Sequence, residues 1–133
     1  MPVDPKDAGS PQDWMRHARR DLSLSRMPKT RSILYQHLCF HAQQAAEKAL
    51  KAVLVAHGVR FPKTHDLAFL MQSLPSTISV PPLLINLPAL NQYAVQQRYP
   101  GESPTITRKH HTAATLLAAE TVAWAAGCIA RSM

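Results

Sequence analysis

Carboxylates are scarce in this 133-residue chain: eight Asp and Glu stand against fifteen Lys and Arg, a net charge of +7 before seven histidines are counted. That balance favours anionic partners such as RNA, a nucleotide or an acidic protein. Aromatics make up only 6% of the residues, so no stacking platform for single strands is evident. The only two cysteines, Cys39 and Cys128, sit in helical apolar patterns without metal spacing. They read as small buried residues rather than a disulfide, and no metal or other cofactor is expected. No apolar run reaches 18 residues, so no membrane span is expected. The opening MPVDPKDAGSPQD lacks the charged-then-apolar pattern of a secretion signal, which points to the cytoplasm. No segment alternates apolar and polar residues over a useful length, so strands are excluded and the class is all-α.

What is present is helical periodicity. Residues 1–12 carry three prolines and no period, and read as a tail ahead of one domain spanning 13–133. Asp13 is placed to cap a first helix running to about Arg26, with Trp14, Ala18 and Leu22 inward. Pro28 breaks it. A long second helix is expected from Thr30 or Arg31 to His57, with Gly58 past its C-cap. Thr64 looks like the N-cap of a third helix, with Asp66 in its first turn at the positive end of the dipole. A fourth is expected over about Leu83–Arg98, and a last from Thr107 to Ala130 with Ala114, Leu117, Thr121, Trp124 and Cys128 inward. The expected fold is an antiparallel up-and-down bundle of four to five helices.

The second helix has two faces. Leu34, Leu38, Ala42, Ala45, Ala49, Val53 and Ala56 recur at the spacing of a buried stripe. His37, His41, Gln44, Lys48 and Lys51 recur at the same spacing elsewhere on the helix. One apolar stripe suffices to hold a helix in a bundle, so this polar line is either a solvated side or a functional one. Its alanines permit close approach of a neighbouring helix. Glu47 and Lys51 stand four apart in the order that adds a few tenths of a kcal/mol.

Three segments in order, FHAQQAAEKALKAVLVAHG at 40–58, PKTHDL at 62–67 and LNQYAVQQRYPG at 90–101, resemble the HEPN family. The resemblance spans about residues 13–131. It implies a helical bundle that is usually a homodimer. It also implies a nucleotide- or RNA-binding protein paired with a minimal nucleotidyltransferase, as in toxin–antitoxin pairs. Many relatives are metal-independent ribonucleases that carry an Arg, four to six residues and then a His. In such a pair Arg would neutralise the scissile phosphate while His moves a proton. Arg31 with His37 and Arg60 with His65 meet that spacing. With nine arginines and seven histidines, one or two such pairs arise by chance. The late position of the motif in active relatives is not matched, because after Arg98 the next histidine is His110.

Topology suggests where a site would lie. The exit of the second helix, the Thr64-His65-Asp66 start of the third and the Arg98-Tyr99 end of the fourth should meet at one end of the bundle. Lys51, His65, Asp66, Arg98 and Tyr99 are therefore the candidate nucleotide- or anion-binding residues, with Arg60 and His65 as candidate catalytic ones. Arg98 would grip phosphate with its planar fork, Lys51 would add charge and Asp66 would orient His65. The plainer alternatives are a loop-bonded His65, an Arg98 that caps carbonyls and a solvated Lys48 and Lys51. A third possible role is a dimerising module whose basic patch docks an acidic protein.

Overall fold

The computed structural model describes residues 8–94 and 105–132. Helix α1, Pro11–Ser25, starts where Ser10 Oγ accepts the Asp13 amide at 3.0 Å and proline fills the first helical position. Ser10, not Asp13, is thus the cap. Asp13 sits in the first turn, where its carboxylate accepts the amide of Gly9 at 2.9 Å. That bond holds the carboxyl below its ordinary range, with His17 and Arg16 adding to the effect. Gly9 has φ of +79°, which a side chain would resist.

Helix α2 spans Tyr35–Ala56 and starts four or five residues later than the expected Arg31 or Thr30. The reason is Thr30, whose hydroxyl accepts the amides of Ser32 and Ile33 and holds that stretch in a turn. The helix ends as expected at Gly58. With φ of +70°, Gly58 donates to Val55, and Val59 donates to Leu54 at 2.9 Å, closing a Schellman motif. Helix α3 is short, Leu67–Gln72, and its cap is Asp66 rather than Thr64.

The expected fourth α-helix is instead a 3₁₀ segment, Pro82–Tyr93. Its Leu84, Leu87, Leu90 and Tyr93 are all buried and stand three apart, which is the 3₁₀ period. Pro88 inside it supplies no amide donor for an α-helical bond. Helix α4, Arg108–Ser132, is the longest at 25 residues, against 22 for α2. By length and composition alone α4 could also cross a bilayer, but half of its most apolar window is buried inside the protein. No strand occurs among the described residues.

Helix α2 is the centre of the molecule and packs chiefly on α1 and α4. Ala42, Ala45, Ala46, Ala49 and Ala52 are fully buried, as are Leu50, Val53 and Leu54. Burial on most sides of one helix requires small residues where neighbours approach. Helices α2 and α4 run parallel. His111 stacks on Tyr35 at 5.5 Å where both begin, and His57 and Cys128 line one cavity where both end.

Cys39 is fully enclosed, and desolvation pushes its thiol up to about 11 from an ordinary 9.0. The stability this neutral thiol contributes is complete below pH 9 and is lost as pH rises toward 11. Native protein at pH 8 should therefore leave Cys39 unalkylated by iodoacetamide while urea-unfolded protein reacts; mass spectrometry of the digested protein reads the difference.

Candidate functional site

The polar residues of α2 do not form one solvated line. They divide into two seams, each centred on a buried carboxylate. On the first, Asp21 of α1 accepts from His41 Nδ1 at 2.9 Å through Oδ1 and from Lys48 Nζ through Oδ2. This seam ties α1 to α2.

The second seam is built on Glu47, whose side chain is 3% exposed. Its Oε2 accepts from Lys51 Nζ at 3.0 Å, and its Oε1 accepts from His65 Nδ1 at 2.8 Å. Gln43 and Gln44 amides also point at Oε1, and Gln43 Nε2 donates to the His65 carbonyl at 3.1 Å. Gln43, Glu47 and Lys51 stand four apart on α2, so one face of the helix supplies the whole row. The Lys51 ammonium fills a notch between the rings of Trp14 at 5.5 Å and Phe61 at 5.7 Å. Those two rings meet edge to face.

His65 is the exposed part of this seam. Its side chain is 67% exposed although its Nδ1 is fixed by a buried carboxylate. The bond assigns the proton to Nδ1 and turns Nε2 outward. A carboxylate that orients an imidazole is the arrangement needed for proton transfer at Nε2. Arg60 and Lys63 lie on the same connection, both exposed and neither in an ion pair with a described residue.

The expected site residues therefore separate. Lys51 and His65 do come together, but through Glu47, which neutralises Lys51 inside the protein. Asp66 does not orient His65. Its carboxylate caps α3 by accepting from Ala68 and Phe69, and it also receives the Asn91 amide at 3.1 Å. Asn91 in turn accepts the Leu67 amide at 2.9 Å, joining the 3₁₀ segment to the start of α3. Arg98 and Tyr99 lie outside the described residues. His65 also sits lower than the topology suggested. The chain after Gly58 folds back along α2, so the imidazole meets Glu47, nine residues before the helix end. Of the other pairing, His37 accepts the Leu34 amide at 2.8 Å and closes the start of α2. Arg31 is exposed in the preceding turn.

Glu47 and Gln43 are the residues that sequence reasoning missed. In sequence Glu47 is an acid inside an alanine run, on the same face as Gln43, a pattern that solvated helices share. No group of three or more possible metal ligands occurs among the described residues.

Asp66→Ala removes the α3 cap and a partner of Asn91. It should lower stability by about 1–2 kcal/mol in urea titration, while the His65–Glu47 bond, read as the His65 ring resonances in NMR, stays in place.

The fold and the charged seams define a small helical bundle organised around one central helix. The chain belongs to the HEPN family: the family model described as HEPN domain matches residues 11–127. Among solved structures, TT1696 from Thermus thermophilus is similar, with 30% identity and a TM-score of 0.74. That match covers 91% of this chain and 99% of the other. ST0689, described as an archaeal HEPN homologue, is also similar, at 25% identity and a TM-score of 0.71. It covers 92% of this chain and 99% of its own. No curated relative matches the chain.

Proposed function

We propose that this HEPN protein is a cytoplasmic nucleotide- or RNA-binding module that acts as a homodimer beside a minimal nucleotidyltransferase, in a toxin–antitoxin-like pair. The observation that carries the binding reading is the exposed imidazole of His65, fixed from below by buried Glu47 and flanked along the chain by Arg60 and Lys63. Rigid support makes an exposed side chain a defined contact at low entropic cost. In this reading His65, Arg60 and Lys63 meet phosphate, while Lys51 and Asp66 hold the frame. Arg98 and Tyr99 extend the site on the strength of the sequence alone.

Fluorescence anisotropy of labelled oligouridine or ATP, repeated across a salt series, tests it. Affinity should fall as salt rises, since cation–phosphate contacts release counterions. His65→Ala and Arg98→Ala should weaken binding, with Arg19→Ala as the surface control. Salt-independent binding, or none, refutes the reading. Light scattering should return twice the monomer mass; a monomer at micromolar concentration refutes the dimer.

A second reading, a metal-independent endoribonuclease, is favoured by the Glu47–His65 arrangement. There Nε2 of His65 would take the proton of a ribose 2′-hydroxyl while Arg60 offsets phosphate charge. RNA cleavage that persists in EDTA and is lost in His65→Ala would establish it over simple binding.

A further inference from the structure

Helix α1 stops, and α2 and α4 start, at one end of the bundle. They touch there: His111 Nε2 lies 2.6 Å from the Ser25 carbonyl, and Lys29 Nζ lies 5.7 Å from the Tyr35 ring. The connection across this end is apolar where it needs no apolar residue. Leu24, Met27, Ile33 and Leu34 are 37–47% exposed, and they are half of the eight large hydrophobics exposed among the described residues.

Cations are interleaved with them. Arg26, Lys29 and Arg31 lie on the same stretch, and Arg108 and Lys109 open α4 beside it. All five are exposed, and none forms an ion pair with a described residue. The nearest carboxylate on these elements, Asp21, is buried and engaged by His41 and Lys48. The helix starts are closed by their own side chains, His37 accepting the Leu34 amide and His110 the Thr107 amide. Charge at this end therefore comes from side chains and not from bare helix amides.

Apolar side chains ringed by charge of one sign are the anatomy of a protein interface. A second copy of this chain would set the same cations against each other across a two-fold axis, so the homodimer contact belongs elsewhere. Nucleic acid would use the cations and leave four apolar side chains without a function, since such interfaces are polar. We propose that this end is the docking surface for a partner protein carrying carboxylates around an apolar centre. The inference rests on the partnership proposed above, and it places that partner on a surface separate from His65.

The test is co-expression with the minimal nucleotidyltransferase of the proposed pair, followed by titration calorimetry of the purified proteins. Wild type should form a complex. Met27→Ser with Ile33→Ser, and separately Lys29→Glu with Arg31→Glu, should each weaken it by about tenfold or more, with unchanged circular dichroism. Ile85→Ser, an equally apolar change at a residue 75% exposed elsewhere, should leave it intact. Failure of wild type to bind overturns the partnership, and this inference with it. A complex indifferent to both double variants overturns the docking surface and leaves the partnership standing. If the charge reversal instead abolishes binding of oligouridine or of phosphatidylserine vesicles while the complex is untouched, the surface serves RNA or membrane and the proposal fails.

Discussion

Glu47→Ala should cost about 3–5 kcal/mol, the range for breaking a buried ion pair from one side. The substitution leaves the Lys51 ammonium, with a side chain only 8% exposed, against Trp14 and Phe61 without its counter-charge. It also removes the acceptor for His65, Gln43 and Gln44 at one stroke. Urea unfolding at pH 7 measures the loss. The double variant Glu47→Leu with Lys51→Met should recover most of it, because desolvating two charges is costly and a well-packed apolar pair avoids that cost. Stability and the proposed function then part company: the double variant folds but no longer fixes His65, so the RNA or nucleotide binding proposed above should weaken. A single-variant loss under about 1 kcal/mol would mean that the pair is solvated, as surface pairs are.

The second large effect is expected at Leu50→Ala, at about 2–5 kcal/mol. Leu50 is fully buried on the central helix, between faces that already use alanine to admit α1 and α4. Helices held apart by their remaining contacts cannot close over the void, so the cavity term adds to the lost transfer energy. Ile85→Ala is the control, since that side chain is 75% exposed and its loss should stay within about 0.5 kcal/mol. Equal effects at the two positions would contradict α2 as the core of the bundle.

The same central helix shows what the sequence disclosed. The periodic alanines predict an α-helix, and its C-terminal stop at Gly58 was legible because φ of +70° favours glycine. The three segments that resemble the HEPN family identified the family that the match over residues 11–127 shows. The 3₁₀ segment was legible in principle: Leu84, Leu87, Leu90 and Tyr93 repeat every three residues, a 3₁₀ and not an α-helical period, while the expected stretch from 95 to Arg98 lies outside the described residues. Its cause is local, so attention to the exact period would have found it.

Local chemistry thus determined the helical class, most helix positions and the family. Caps were less secure, because Ser10 and Asp66 each had a neighbour, Asp13 and Thr64, equally able to serve by type. Which side chain wins depends on where the incoming chain lies, and that is set by packing. The site depended on tertiary structure entirely. Glu47 and Lys51 look the same in sequence whether their face meets water or protein, and the energetics differ severalfold between the two. Only the fold-back of the chain after Gly58 brings His65, eighteen residues away, onto Glu47. Periodicity fixes which residues share a face of one helix; what covers that face is decided by the other elements, and here that covering makes a charged pair a buried support for an exposed imidazole.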